Sequence, residues 1–302
     1  INRKFNAPER IIRQENVDVL SANLSFFKTV DSARSFQYGV EAAFNDVSSQ
    51  AYSENVNDSS RSYATTRYPD GGSAMQSYGV YMAYKWELSP LFLLNAGVRY
   101  NQFNVRANFV DTSTYQLPFN EIDNGSSAFN GSMGLVCKAG NGLRINLLLA
   151  SGYRAPNVDD LGKVFAKDEY VTVPNNSLAP EKIYSGEAGI LKTMWNNKVS
   201  VQLVGYYSIL SNAIVRREFV LNGQDSLDYE GEQLKILANV NTGDAVIYGS
   251  SAVISTQFNK LPNIDGAITY THGWDTEEDM PLSHIPPIFG RLSLSKEIGK
   301  AN

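Results

Sequence analysis

Residues 77–88 read SYGVYMAYKWEL. Taken alternately, Tyr78, Val80, Met82, Tyr84, Trp86 and Leu88 fall on one side, while Ser77, Gly79, Tyr81, Ala83, Lys85 and Glu87 fall on the other. Successive side chains of a β-strand point to opposite faces, so this stretch predicts a strand with one apolar face and one small or charged face. The next run repeats the pattern, with Phe92, Leu94, Ala96, Val98 and Tyr100 against Asn95, Gly97, Arg99 and Asn101. Upstream, Tyr38, Val40, Ala42 and Phe44 stand opposite Glu41 and Asn45.

Two all-β architectures share this alternation. In a soluble sandwich the apolar face is the interior and strands average about five or six residues. Here the runs extend to roughly eleven to eighteen residues, the length of tilted strands crossing a bilayer. The reading gives eleven strands, at 16–29, 34–47, 74–88, 91–108, 127–138, 143–153, 182–195, 198–215, 245–259, 263–274 and 288–298. Connections at 30–33, 89–90, 139–142, 196–197 and 260–262 are short, whereas 48–73, 109–126, 154–181, 216–244 and 275–287 are long. Short turns on one rim and long loops on the other are the habit of transmembrane barrels, with turns periplasmic and loops outside the cell. Trp86 and Trp195 lie beside short turns and Trp274 beside a long loop, positions suited to the membrane interfaces. The expected fold is therefore an antiparallel up-and-down transmembrane β-barrel. Single-chain bacterial barrels close with even strand numbers, so an eleven-stranded chain is expected to be a fragment whose first and last strands lack their neighbours.

Composition narrows the function. The net charge of −5 and a low charged fraction argue against a nucleic-acid partner. No apolar run approaches the roughly 18 residues of a spanning helix, the best being 145–150, so membrane insertion must use strands. The single Cys137 excludes an internal disulfide. The chain opens at Ile1 without a charged-then-apolar leader, which leaves targeting unread.

Three phrases are the most specific: GYRAPNVDDLGKVF at 152–165, VPNNSLAPEK at 173–182 and PLSHIPPIFGR at 281–291. In the first, Pro156 cannot donate to a sheet ladder, Arg154 can satisfy carbonyls or carboxylates, and Asn157 can start a helical turn through Leu161. It reads as a device that ends a strand. These phrases resemble the barrel region of TonB-dependent receptors, with supporting likeness in TRYPDGGSAMQS at 66–77, GVRYN at 97–101 and NAIVRR at 212–217. The residues that carry the resemblance are Tyr153, Arg154, Ala155, Pro156, Asn157 and Leu161, then Pro174, Asn175, Leu178, Pro180 and Glu181.

The resemblance implies about half of a twenty-two-stranded barrel in the bacterial outer membrane. Residues 1–302 would be a partial barrel domain, without the amino-terminal plug, the segment that contacts a TonB-type energy-coupling protein, or the final strands. It implies contact with membrane lipids and lipopolysaccharide and a small-molecule ligand such as a siderophore, haem, cobalamin or metal chelate; no cofactor and, for want of any catalytic motif, no enzymatic activity are expected. Within strands, Gly79, Gly97, Gly186 and Gly189 would permit bending or close approach by the plug.

Candidate sites follow at lower resolution. Glu41, Lys85, Glu87, Arg99 and Glu187 fall on the polar face, either as lumen partners for a plug or as mutual charge pairs along the wall. Loop 48–73 carries Tyr52, Arg61, Tyr63, Arg67 and Tyr68, able to grip an anionic or aromatic ligand, with plain solvation as the competing reading. The acidic sets Asp275, Glu277, Glu278 and Asp279, and Asp159, Asp160, Asp168 and Glu169, lack dedicated calcium-loop spacing. His272 and His284 have no cysteine or carboxylate at ligand spacing, and His272, alternating with Tyr270, suits a rim position. No metal site is expected, and no nucleophile or acid–base constellation is recognisable. The alternatives are a passive porin or adhesion barrel, which shares the alternation but lacks a plug, and a soluble all-β carbohydrate-binding module or enzyme domain.

Overall fold

The computed structural model describes residues 7–111, 117–229, 231–259, 261–282, 285–286 and 288–296. His284 and part of the phrase at 281–291 lie outside them. Eleven long strands follow one another as antiparallel neighbours: β1 (Glu9–Thr29), β2 (Arg34–Asn55), β4 (Ser73–Glu87), β5 (Phe92–Asn108), β6 (Glu121–Gly140), β7 (Leu143–Arg154), β10 (Glu181–Met194), β11 (Val199–Ser211), β15 (Ala245–Thr256), β16 (Asn263–Asp275) and β18 (Phe289–Ser295). Two short strands, β3 (Arg61–Tyr63) on β2 and β17 (Met280–Pro281) on β16, bring this sheet to thirteen. The sheet is an open meander, as the alternation predicts.

Register places the faces. Leu24, Val40, Val80, Tyr100 and Phe129 form one cross-strand row, and all are exposed on a single face. The adjacent row, on the opposite face, is Asn23, Glu41, Gly79, Asn101 and Ala128. Along β2 the apolar face runs Phe36, Tyr38, Val40, Ala42 and Phe44, bounded by Arg34 below and Asp46 above. The stretch 36–44 spans about 26 Å along the strand, comparable with the apolar band of about 25 Å on outer-membrane barrels. Aromatic rings gather at both margins. Phe36 stacks on Tyr84 at 4.6 Å and Tyr84 leads to Trp86 at the lower edge, while Phe44 meets Tyr78 edge-on at 5.7 Å at the upper. Further round, Tyr207, Tyr248, His272 and Trp274 continue the upper girdle with centroid spacings of 6.4, 5.3 and 6.0 Å. Amphipathic rings suit both interfaces. Trp195 lies in a lower turn and is 71% exposed.

The long connections differ from the expected solvated loops. β2 continues to Asn55 and β6 begins at Glu121, so the wall rises well beyond the apolar band. The strand expected at 198–215 ends at Ser211, where Asn212 adopts a left-handed φ of 57° and redirects the chain. Beyond it, five short strands make a second sheet: β8 (Phe165–Lys167), β9 (Tyr170–Val173), β12 (Ile214–Glu218), β13 (Ser226–Tyr229) and β14 (Glu232–Asn241). β14 pairs β9 in parallel and β12 and β13 antiparallel. The helix expected to start at Asn157 is α1 (Val158–Gly162).

The buried core lies at this upper end. Val105, Ala107 and Ile122 from the polar-face side of β5 and β6 join Val158 and Leu161 of α1, and Val171, Val173, Leu234, Ile236 and Ala238 of the second sheet. Below this level the wall is one sheet thick, with both faces open. Each fully buried aliphatic side chain contributes about 1.5–3 kcal/mol, so the mouth is a packed cap seated on the lumen face.

Candidate functional site at the barrel mouth

The phrases at 152–165 and 173–182 meet in space. Asn157 caps α1 by accepting from the Asp160 amide at 2.9 Å, while Asp160 Oδ2 accepts from the Asn157 amide at 3.0 Å. Arg154 Nη1 donates to Asp160 Oδ2 at 2.6 Å and Nε donates to Glu181, whose Oε1 also accepts the Ile214 amide at 2.6 Å. Asn175 Nδ2 donates to Asn239 O at 2.7 Å, and Asn239 Nδ2 donates back to Asp160 O at 2.8 Å. Pro156, Pro174 and Leu161 are fully buried, and Ala155 and Leu178 are buried beside them, while Pro180 precedes β10. These residues bolt β14 of the cap to the ends of β7 and β10. Tyr153 packs edge-on against Phe103 at 5.5 Å, with its buried Oη making no hydrogen bond.

Of the five loop residues, three lie on the β2–β3 hairpin. Tyr52 pairs with Tyr63 in register, and the Arg61 guanidinium sits 4.4 Å from the Tyr52 ring centroid. Arg61 and Arg10 flank the buried Glu54: Arg10 donates from Nε at 2.8 Å and Nη2 at 2.6 Å, Arg61 at 3.3 Å. The Arg10 guanidinium, foremost, holds the Glu54 carboxyl below its ordinary value. Local desolvation of the hydroxyl, and then its hydrogen bond with Asp111, push the Tyr63 phenol up to about 12, although the residue as a whole is 61% exposed. The other two lie on the strap leading to β4. Tyr68 packs on the core and donates to Asp159 Oδ1 at 3.0 Å, while Lys163 Nζ donates to the other oxygen, Asp159 Oδ2, at 3.0 Å. Arg67 is exposed, its guanidinium 5.5 Å from the Phe165 ring centroid. The loop is a bonded hairpin and strap, with Pro69, Ala64 and Thr65 buried.

On the wall's polar face, Arg99 donates to Glu41 and, at 2.7 Å, to Asn101 Oδ1, while Asn23 donates to Glu41 at 2.8 Å. Lys85 and Glu87 lie 3.3 Å apart near the lower rim. Glu187 stands between Leu148 and Tyr206 in register, and Tyr206 Oη bonds Thr271 at 2.6 Å. At Gly79 a Cβ would come within 2.5 Å of the Arg99 guanidinium, so there the wall's own side chain makes the close approach. At Gly97, Gly186 and Gly189 the nearest neighbours are likewise wall atoms, from Ser132, Leu149 and Val204.

Several of the acidic residues do structural duty. Asp275 Oδ1 accepts the amides of Glu277 and Glu278 at 2.9 and 3.0 Å, and Arg217 pairs with Glu278 at 2.8 Å. Among the described residues no group of three or more metal-ligating side chains converges. What sequence reasoning missed is the cap sheet itself, including Phe165, Lys167, Tyr170 and Lys235 on its exposed face. The only advance signal was the unusual length of the loops.

A family model described as TonB dependent receptor-like, beta-barrel matches residues 3–298. No curated protein sequence matches. Among solved structures, the copper transporter OprC superposes with a TM-score of 0.76 at 18% identity, over 96% of this chain and 42% of that one. The Serratia marcescens hemophore receptor HasR, solved with its hemophore HasA and heme, gives 0.65 at 10% over 88% and 43%. The ferric yersiniabactin uptake receptor FyuA from Yersinia pestis gives 0.64 at 12% over 94% and 40%. The chain thus spans about two fifths of the length of these structures.

Proposed function

The chain belongs to the TonB-dependent receptor-like β-barrel family, whose members are bacterial outer-membrane proteins, and from that premise we propose that it forms part of the wall and mouth of a nutrient importer. The receptor captures a scarce molecule, of the siderophore, haem, cobalamin or metal-chelate type, at its outer face. Transport then runs through a plugged barrel of twenty-two strands, driven by a TonB-type protein acting on the plug from the periplasm. Residues 1–302 are read as a partial barrel domain, with lipids and lipopolysaccharide around the apolar band. The chemistry is gated binding without covalent change.

The observation that carries this reading is the cap. A passive pore gains nothing from a second sheet and a helix packed on the lumen side of its mouth, whereas a receptor needs a shaped surface above its gate. The similar solved structures include a copper transporter, an iron transporter, a siderophore receptor and a hemophore receptor in complex with heme, a spread that selects no single cargo here. The test is uptake of labelled chelates by cells in which the full-length receptor is the sole route. Accumulation abolished by a protonophore or by loss of the TonB-type protein is expected. Uptake indifferent to both would establish the passive pore instead.

A further inference from the structure

Most cations at the mouth are engaged: Arg10 and Arg61 by Glu54, Arg154 by Asp160 and Glu181, Lys163 by Asp159, and Arg217 by Asp275 and Glu278. Arg67 and Lys167 have no carboxylate partner among the described residues. Among the described residues Lys235 has only Glu218, at 3.7 Å, with side chains 64% and 77% exposed, a pairing worth little in water. These three cations share one side of the cap sheet. Lys167 opposes Tyr170 across β8 and β9, and Tyr170 opposes Lys235 across β9 and β14, so the three make one cross-strand row. Adjacent strands lie about 4.8 Å apart, so Tyr170 has a lysine on the neighbouring strand on either side. Two residues earlier on β8, Phe165 presents the ring beneath Arg67. Both rings are more than a third exposed, while Val171 and Ile236 on the reverse face are buried in the mouth core.

Resting on the receptor reading above, we infer that the face formed by Lys167, Tyr170, Lys235, Phe165 and Arg67 binds a ligand made of aromatic rings bearing anionic oxygens. Two exposed rings offer stacking or edge contacts to an aromatic ligand. The flanking ammonium groups and the guanidinium offer charge-assisted hydrogen bonds to its oxygens. A bare inorganic anion uses only the cations, and a neutral chelate uses neither feature fully. The strands are held from behind by the core, so the row is a fixed surface that loses little freedom on binding. In a chain of net charge −5 this concentration of weakly opposed positive charge is local to the mouth.

The test uses the purified full-length receptor and two probes: the ferric complex of 2,3-dihydroxybenzoate, and a neutral ferric trihydroxamate. The anionic aromatic complex is expected to bind at least about tenfold more tightly, from two or more charge-assisted bonds. Raising salt from about 0.05 to about 0.5 M should weaken that binding several-fold and spare the neutral complex. K167Q/K235Q should lose at least about tenfold toward the anionic probe alone, and Tyr170→Leu should lose affinity while keeping the salt dependence. Equal binding of both probes by the wild type, no binding of either, or unchanged affinity in the double variant overturns the inference. The salt titration needs no variant, so a misfolded mutant does not rescue it. Energy-dependent uptake that persists beside unchanged affinity in K167Q/K235Q sinks the patch and spares the receptor; energy-independent uptake by the wild type sinks the receptor.

Discussion

Arg154 Nη1 donates to Asp160 Oδ2 at 2.6 Å, across the point where the last turn of β7 gives way to α1. The same guanidinium reaches Glu181 at the first residue of β10, so one side chain joins the end of one wall strand, the cap helix and the start of the next. Its planar fork meets two carboxylates that are themselves only 15% exposed. An ammonium has no equivalent geometry.

Arg154→Ala should therefore loosen the cap by about 1–3 kcal/mol, the cost of leaving largely buried carboxylates without their donor. Arg154→Lys should recover only part of it. Hydrogen exchange of β9 and β14 in the full-length receptor is the measurement: protection falls in both variants, further in the alanine. Equal protection in all three proteins would remove Arg154 from the junction.

Val80 lies mid-row on the exposed apolar face, between Val40 and Tyr100. Val80→Arg should cost about 2–4 kcal/mol near the bilayer midplane, read from urea unfolding in phospholipid. Ala83→Arg, three residues along and on the other face, should be close to neutral, because that face lines an aqueous interior. A reversal of the two results would invert the facing assignment.

The wall was legible because its strands carry a strict period of two over many residues, and residues 77–88 or 92–101 admit one assignment of faces. The cap was not. β9 is YVTV, with Val171, Thr172 and Val173 all buried, so no alternation marks it. Its partner β14 lies more than sixty positions away and pairs in parallel, which no local turn announces. Arg154 and Asn157 were visible in a strand-ending phrase and Glu181 in the phrase at 173–182, yet their use as a bolt for β14 depends on Asn239, a residue with no motif around it. The Glu54 cluster was hidden for the same reason, since Arg10 is 44 residues distant.

Leu161 is completely buried between wall and cap. Leu161→Ala should destabilise by about 2–5 kcal/mol through lost burial and a cavity. The loss should fall on the cap and not on the barrel, because the strands below the mouth share no core with α1. The expected pattern is retained heat-modifiable migration of the full-length receptor with faster proteolysis across 155–180. Loss of barrel assembly itself would mean that cap and wall fold as one unit.

The β2–β3 hairpin should respond to acid. Glu54 is held below its ordinary value of 4.5, mainly by Arg10 and then by Arg61. A carboxylate whose folded pKa is depressed stabilises the folded form at pH above its unfolded value, and that contribution fades as pH falls through the folded one. Exchange protection of residues 49–63 should therefore hold at neutral pH and decline on acidification from the ordinary carboxylate range downward. Glu54→Gln keeps the shape but not the charge, so the two arginines lose their counterion at every pH. Its protection should be lower than wild type at neutrality and should lack the acid step. An identical acid step in the variant would show that some other carboxylate, not Glu54, governs the order of this hairpin.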